Sequence, residues 1–270
     1  GASGSALLYA LSRYTNIPRM ALLEKYDELG SVNSHARNNS QTLHVGDIET
    51  NYTIEKVRQV HPAAMMVERY IRALPRAEQD ALLTEVQKMV LGVGEKEVTE
   101  LELRYESLRS IFPELRKLSA EEIARCEPEV MRGRKKDVPV VALYNPHGYA
   151  INFGLLAASL AKDATRMREG IEVRLTREVL SIEKKGAEYL LRTKNGDIRA
   201  RCVVVDADAY SLGFAKKLGY GKEFSLLAIA GTFYFTSEVL KGKVYTVQAP
   251  RLPFASVHGD PDITVPGKTR

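Results

Sequence analysis

Four small residues at the start of the chain, Gly1-Ala2-Ser3-Gly4, run directly into an apolar segment with helical spacing. They match the last four positions of a GxGxxG loop, the turn between the first strand and the first helix of a dinucleotide-binding βαβ unit. In such a loop Gly1 lets the backbone approach a pyrophosphate, and Gly4 lets the helix pack closely on its strand. The helix N-terminus attracts the phosphate groups. We therefore predict a helix over residues 5–15 and phosphate contacts at Gly1, Ser3 and Gly4.

An acidic residue follows at the distance that this unit requires. Residues 18–25 predict a short buried strand, and Glu24 lies at its end, about 20 residues after Gly4. Dinucleotide-binding folds place there the carboxylate that binds the ribose hydroxyls. Glu24 and its neighbour Lys25 are therefore predicted to bind the cofactor, although a glutamate at a strand end is also common on protein surfaces. The first strand and first glycine of the unit would precede Gly1, so we expect the chain to be a fragment.

Helical and strand-like patterns alternate through the rest of the chain, with β-rich segments between them. Asn195-Gly196 is typical of a hairpin turn, since both residues suit a positive φ, and Ser119 with Glu122 forms the pattern of a capping box. The apolar segment 202–209 predicts a strand buried in a parallel sheet. Three later segments predict a second, mostly antiparallel sheet: residues 227–235, 243–250 and 253–260.

The net charge and the cysteine content limit the kinds of partner and site that the protein can have. Among 270 residues, 39 Lys and Arg exceed 34 Asp and Glu, which gives a formal net charge of +5. This charge suits an anionic substrate or membrane surface, and it is also ordinary for a solvated surface. The sequence contains no nucleic-acid-binding motif. The two cysteines, Cys126 and Cys202, form no CxxC pair, which indicates neither a metal site nor a disulfide framework and makes a reduced, cytoplasmic compartment the default.

A polar segment between residues 30 and 52 is too long and too rich in hydrogen-bonding side chains for an ordinary connection. It includes most of the sequence NNSQTLHVGDIETNYT, and later segments read LELRYESL, EPEVMRGR, GYAINFGLLAASL and VHGDPD. In this order, and together with GASGSALLYALSRY, these segments make the chain resemble the malate:quinone oxidoreductases. That family lies within the glutathione-reductase-like and amino-acid-oxidase-like superfamily of FAD-dependent oxidoreductases.

The resemblance implies FAD as the cofactor and the oxidation of (S)-malate to oxaloacetate as the reaction, a step of the tricarboxylic acid cycle. It implies a membrane quinone as electron acceptor and peripheral attachment to the inner face of the cell membrane, since no apolar run reaches the roughly 18 residues of a spanning helix. Two alternatives remain open: oxidation of another 2-hydroxyacid such as L-2-hydroxyglutarate, and a non-catalytic dinucleotide-binding fragment. We expect no metal and no nucleic-acid partner, and the oligomeric state stays open.

The implied architecture is of the α/β class, with a Rossmann-like FAD-binding domain and an interleaved α+β substrate domain that contains a mostly antiparallel sheet. Two segments, residues 1–55 and 146–215, would form the FAD-binding domain. Residues 56–145 would form a helical and substrate-domain segment. Residues 216–270 would continue the substrate domain, which the resemblance implies to be incomplete at its C-terminal end, so we expect the fragment to lack both ends.

Two histidines are candidate catalytic bases. Oxidation of a hydroxyacid requires removal of the hydroxyl proton, and an imidazole exchanges protons readily near neutral pH. His258 is the first candidate, because alternate residues of an extended segment share a face and Asp260 would therefore lie beside it. A carboxylate there can fix the tautomer of the imidazole and stabilise its cation. His44 is the second candidate, since the resemblance places its segment near the flavin.

The remaining candidate residues would hold the cofactor or the substrate. The uncharged side chains of the polar segment are implied to contact the flavin ring or the substrate, or to satisfy their own loop: Asn39, Ser40, Gln41 and Thr42. Arg37 is the candidate ligand of a substrate carboxylate, which an arginine can bind with two parallel hydrogen bonds. Val179 would pack on the adenine or serve only as a core residue.

Overall fold

The computed structural model describes residues 1–229, 231–248 and 257–270. Its helices in chain order are α1 (Ala2–Tyr14), α2 (Ile54–Arg72), α3 (Arg76–Leu82), α4 (Glu95–Leu108), α5 (Ala120–Cys126), α6 (Pro128–Met131), α7 (Phe153–Met167) and α8 (Tyr210–Lys217). Its strands are β1 (Met20–Leu23), β2 (Leu83–Val93), β3 (Arg116–Ser119), β4 (Val140–Ile151), β5 (Ile171–Arg174), β6 (Val179–Lys185), β7 (Glu188–Thr193), β8 (Ile198–Ala200), β9 (Thr236–Ser237), β10 (Lys243–Thr246), β11 (His258–Gly259) and β12 (Lys268–Thr269).

The contacts within the chain divide it into two compact units, each made of two segments. The first unit contains residues 1–39 and 153–232, and the second contains residues 40–152 and 233–270. The boundaries that we predicted after residues 55, 145 and 215 differ from these divisions. The assignment of cofactor binding and substrate binding to particular segments stays a prediction.

A pair of parallel strands lies at the centre of the first unit. β1 pairs with β5, and helices α1 and α7 pack against each other and against these strands. Leu8, Ala164 and Ile171 form the buried core between them. Helix α1 buries Ser5, Leu8 and Ser12, a spacing that follows the helical period of 3.6 residues. This packing fixes the start of α1 relative to the end of β1.

Two local predictions are confirmed. The antiparallel meander β6-β7-β8 turns at Asn195-Gly196, where Gly196 has a φ of +98° that a glycine adopts without steric cost. At the start of α5, the Ser119 hydroxyl accepts a hydrogen bond from the N–H of Glu122, and the Glu122 carboxylate accepts one from the N–H of Ser119. Both patterns depend only on residues adjacent in sequence.

The second unit contains a five-stranded sheet with the strand order β11-β10-β2-β4-β3. β10 and β2 are parallel, whereas the other three pairings are antiparallel, which confirms a mostly antiparallel sheet. One face of the sheet carries an apolar core formed by Met89, Leu91, Leu118, Ile123, Ala142 and Val244. Because side chains alternate along a strand, Lys88 and Lys243 lie on the opposite face.

The predicted strands at residues 202–209 and 227–235 are wrong. Residues 202–209 form no strand, and Val204 in the middle of this segment is 62% exposed. In the second segment, residues 227–229 and 231–235 form no strand either. An apolar segment becomes a strand only where a neighbouring strand pairs with its backbone groups, and among the described residues no strand pairs with either segment.

The two later predicted strands are present in part. Residues 243–246 form β10, and His258–Gly259 forms β11, which pairs with β10 in antiparallel orientation. Residues 249–256 lie outside the described residues. The helices, the parallel strand pair and the antiparallel sheet together confirm the α/β class.

Candidate functional site

The structure brings together the residues predicted for the phosphate end of a dinucleotide. Glu24 directly follows β1, and its Oε2 lies 3.7 Å from the backbone nitrogen of Gly1 at the start of α1. The N–H of Ala2 donates to Oγ of Ser34 at 2.9 Å. A Cβ on Gly1 would lie 3.0 Å from this Oγ, so the absence of a side chain at Gly1 permits the close approach. Gly1, Ser34 and Glu24 therefore surround the N-terminus of α1.

This arrangement fits the adenosine diphosphate part of FAD. The first-turn N–H groups of a helix attract phosphate, and a carboxylate near them can bind ribose hydroxyls. Gly4 lies in this first turn, where a Cβ would be 3.3 Å from Oδ2 of Asp206. Lys25 extends over the ring of Tyr210, with 4.1 Å between Nζ and the ring centroid. Cofactor contacts of Gly1, Ser3, Gly4, Glu24 and Lys25 stay predictions.

The structure also places Arg37, Asn39 and Val179 in the first unit. Arg37 is exposed in a short 3-10 turn, Ala36–Asn38. The amide of Asn39 donates to the backbone carbonyls of Asn33 and His35 at 3.0 and 2.9 Å, and so stabilises this loop. Val179 begins β6 and pairs with Thr193 of β7. The proposed contacts of these residues with substrate, flavin and adenine stay predictions.

The adjacent segment, Ser40 to Thr42, begins the second unit and is bound by groups of that unit. The carbonyl of Ser40 accepts a hydrogen bond from Nζ of Lys243 at 3.1 Å. Gln41 is fully buried with a φ of +57°, and its Oε1 accepts from the N–H of Ile263. Oγ1 of Thr42 lies 2.7 Å from the hydroxyl of Tyr245. The sequence predicted flavin contacts here, and the structure adds a role in packing.

His44 forms a hydrogen-bonded pair with a buried carboxylate. Its Nδ1 lies 2.7 Å from Oε1 of Glu49, whose Oε2 accepts the N–H of Gly46, also at 2.7 Å. Burial alone raises the pKa of Glu49, but the hydrogen bond from His44 and the charge of Lys88 more than offset this and hold the pKa below its ordinary value. Glu49 is therefore a carboxylate at neutral pH, and the half-exposed imidazole of His44 is oriented by it.

His258 lies beside Asp260, as predicted from their spacing. Nε2 of His258 is 3.6 Å from Oδ2 of the fully buried Asp260. Oδ1 of Asp260 pairs with Nζ of Lys243 at 3.1 Å. Burial lowers the pKa of Lys243, and the charge of Asp260 opposes this effect. The carboxylate of Asp260 therefore lies between a lysine and an imidazole.

Tyr245 lies between the two histidines. Its ring stacks on that of His258, with 4.7 Å between centroids, and meets the ring of His44 edge-on at 6.3 Å. Burial and then the charge of Asp260 raise the pKa of the Tyr245 hydroxyl, so this group stays protonated at neutral pH. The structure thus brings His44, His258 and Asp260 together around one aromatic ring.

Sequence reasoning missed several members of this cluster. Lys88 forms a fully buried ion pair with Asp47, with 2.7 Å between Nζ and Oδ1, and Asn145 donates to Oδ2 of Asp47 at 2.5 Å. The available signal is a lysine at the start of an otherwise apolar strand segment, as in KMVLGV and KVYT. A charged residue in such a position requires a buried partner.

The described residues also lack two kinds of feature. In these ranges no group of three or more His, Cys, Asp or Glu side chains is arranged to hold a metal ion. None of the helices described is long and apolar enough to cross a bilayer.

Curated relatives align with this chain over its whole length. The probable malate:quinone oxidoreductase of Helicobacter pylori (strain P12) is 40% identical over 279 aligned residues. That of Campylobacter jejuni subsp. jejuni (serotype O:2) is 38% identical. Both alignments cover 100% of this chain but only 61% and 62% of the relatives. The chain thus spans about three fifths of their length, and the resemblance recognised in the sequence is confirmed.

Solved structures share the fold. L-α-glycerophosphate oxidase from Mycoplasma pneumoniae, solved with FAD bound, matches with a TM-score of 0.71 and 20% identity, over 100% of this chain and 67% of that one. Glycine oxidase from Geobacillus kaustophilus matches with a TM-score of 0.68, 20% identity and the same coverage. The family model described as FAD dependent oxidoreductase matches residues 1–267. The FAD prediction is thereby confirmed, and the chain belongs to the family of FAD-dependent oxidoreductases.

Proposed function

We propose that the protein to which this chain belongs oxidises (S)-malate to oxaloacetate with FAD and passes the electrons to a membrane quinone. The observation that carries this proposal is the 40% identity, over the whole chain, to a relative named as a probable malate:quinone oxidoreductase. The two histidine–carboxylate pairs around Tyr245 support it, because hydroxyacid oxidation needs a base beside the substrate.

The chemistry divides between cofactor and protein. FAD, when bound, accepts the hydride from the carbinol carbon of the hydroxyacid. The side chains of this chain orient the acid and take the proton of its hydroxyl group. An imidazole that is held by a carboxylate suits the second task, since the carboxylate sets its tautomer and stabilises its cation.

His258 is our first candidate for the base. The carboxylate of Asp260 contacts its imidazole and is itself held by the ion pair with Lys243. His44 is the second candidate, and its hydrogen bond to Glu49 is the shorter of the two contacts. Through this contact Glu49 fixes the orientation of the imidazole, which also suits His44 to hold the substrate.

Turnover of the full-length protein with a panel of 2-hydroxyacids and a soluble quinone analogue tests the proposal. We expect malate to be oxidised fastest. If the protein oxidises L-2-hydroxyglutarate faster than malate, the proposed substrate is wrong, but the proposed reaction class, oxidation of a 2-hydroxyacid, still holds. A protein that neither carries FAD nor takes it up would be a non-catalytic binding module.

Use of a lipid-soluble quinone requires access to the bilayer, so we further propose peripheral attachment to the inner face of the cell membrane. The net charge of +5 supports attraction to anionic lipids. Sedimentation of the full-length protein with anionic vesicles, and its release by salt, is the expected result. If equal amounts of protein sedimented with neutral and with anionic vesicles, the proposed attraction to anionic lipids would be wrong.

A further inference from the structure

Two buried lysines lie side by side in the sheet of the second unit. Lys88 on β2 and Lys243 on β10 are Cα partners in adjacent parallel strands, and both side chains are fully buried. Each forms an ion pair with a fully buried aspartate, Lys88 with Asp47 and Lys243 with Asp260. An unpaired charge in such a place strongly destabilises the fold, so each lysine balances its own aspartate.

The two aspartates differ in the group that lies next to the carboxylate oxygen Oδ2, the one that does not contact the lysine. Oδ2 of Asp47 accepts a hydrogen bond from the amide of Asn145 at 2.5 Å. Oδ2 of Asp260 has no hydrogen-bond partner among the described residues, and it lies 3.6 Å from Nε2 of His258. In the pair of Lys243 and Asp260, the second carboxylate oxygen therefore faces a candidate base. In the pair of Lys88 and Asp47, the second carboxylate oxygen contacts a neutral amide.

Other ionisable groups also lie around His258 and Asp260. Nη1 of Arg270 lies 3.5 Å from Oδ2 of Asp262, and the backbone groups of Arg270 pair with those of Asp260. The groups facing this region come from four segments of the unit: Lys88 from β2; Lys243 and Tyr245 from β10; Asp260, Asp262 and Arg270 from the C-terminal segment; His44 and Glu49 from the polar segment. Lys243 is the cation whose ammonium group contacts the Asp260 carboxylate directly.

We propose that Lys243 is a positioning residue for His258: its ion pair engages Oδ1 of Asp260 and leaves Oδ2 facing the imidazole. This inference rests on the proposed role of His258 as a base. A carboxylate whose charge is matched by an ammonium group stabilises an imidazolium less than an unmatched one does. Lys243 thereby makes it easier for His258 to give up a proton, and a base must be free of its proton to act.

The variant Lys243→Met in the full-length, FAD-loaded protein tests this role. We expect the pH of half-maximal flavin reduction by malate to rise by about one unit or more, because the pair retains a proton that Lys243 no longer displaces. Lys243→Arg keeps the charge and is expected to keep the profile. Lys117→Met is the control: it breaks the ion pair with Glu102 that Lys117 forms from β3, at the other edge of the same sheet, and leaves the profile unchanged.

Proton binding at His258 gives a readout that does not depend on malate. The imidazole signal of His258, labelled with ¹³C and assigned by its loss in His258→Asn, is expected to titrate at higher pH in Lys243→Met than in the wild type. The same shift in Lys117→Met, or no shift in Lys243→Met, would overturn the inference. If malate reduces no flavin in the wild type, the proposed function fails, and this titration still decides the role of Lys243.

A double variant keeps the test decisive if Lys243→Met does not fold. Lys243→Met with Asp260→Asn removes both charges and leaves no buried carboxylate unpaired. His258 is then expected to lose its proton at lower pH than in the wild type. Titration of this variant at the wild-type pH would contradict a role of the Lys243–Asp260 pair.

Discussion

The ring of Tyr245 lies parallel to the imidazole of His258, with 4.7 Å between the ring centroids and 6° between the planes. The hydroxyl of Tyr245 is at the same time 2.7 Å from Oγ1 of Thr42. One buried side chain thus joins the strand pair β10–β11 to the polar segment that contains His44. The position of His258 therefore depends on packing as well as on Asp260.

Tyr245→Phe separates the two roles of this side chain. The variant keeps the stacked ring and loses the bond to Thr42, so we expect a loss of about 1 kcal/mol in the free energy of unfolding. Tyr245→Ala also removes the ring and is expected to cost about 3–5 kcal/mol. Denaturant unfolding measures both. Equal losses in the two variants would show that the ring contributes nothing.

The two histidines are expected to differ in kinetics. His258→Asn should slow anaerobic flavin reduction by malate about 10²- to 10⁴-fold while FAD stays bound, since it removes the proposed base. His44→Asn should mainly raise the malate concentration that gives half-maximal rate. His147→Asn, at an exposed position of β4, is the control and should change neither. Stopped-flow absorbance of the flavin gives both quantities, and the opposite order would assign the base to His44.

Glu24 is expected to contribute to FAD affinity. Glu24→Ala in the full-length protein removes the carboxylate that we predict to accept hydrogen bonds from the ribose hydroxyls, which is worth about 1.5–3 kcal/mol, or roughly 10- to 150-fold in Kd. Glu28→Ala, at an exposed residue of the following loop, is the control. Titration of the apoprotein with FAD by fluorescence quenching measures the change. Equal affinity of the two variants would remove Glu24 from the cofactor site.

Acid should weaken the fold through Glu49. The folded protein holds the pKa of Glu49 below its ordinary value of 4.5, so this group stabilises the fold at higher pH. That contribution is lost as the pH falls below 4.5 and through the pKa of the folded state. Glu49→Gln is therefore expected to be less stable than the wild type at pH 7 and to lose less stability between pH 5 and 3. Parallel curves of Tm against pH would contradict this.

Backbone strain at Thr176 predicts a stabilising substitution. Thr176 is exposed and β-branched, yet it has a φ of +50°. Thr176→Asn should raise the free energy of unfolding by about 1 kcal/mol, because asparagine tolerates this conformation better.

At a nearby glycine, in contrast, a substitution is expected to destabilise the fold. Gly170 has a φ of +87°, and a Cβ there would lie 2.6 Å from the carbonyl of Pro18. Gly170→Ala should therefore lower the Tm. If both variants at these positive-φ sites shifted Tm in the same direction, local strain would not explain either result.

The amino-acid sequence by itself determined the features that depend on near neighbours. Ser119 and Glu122 form their capping box, Asn195-Gly196 turns its hairpin, and Glu24 follows β1 at the distance set by helix α1. Each rests on a helical or strand period, or on the conformational preference of one or two residues. The spacing of His258 and Asp260 belongs to the same class, since alternate residues of an extended segment share a face.

Only the tertiary structure decided which distant groups meet. Residues 202–209 have the composition of a buried strand, but among the described residues no strand pairs with them. Lys243 meets Asp260 and Lys88 meets Asp47 because two parallel strands place both lysines on one buried face of the sheet. Strand pairing and buried ion pairs bring together residues that are far apart in the chain. Neither produces a periodic pattern from which the partners could be predicted.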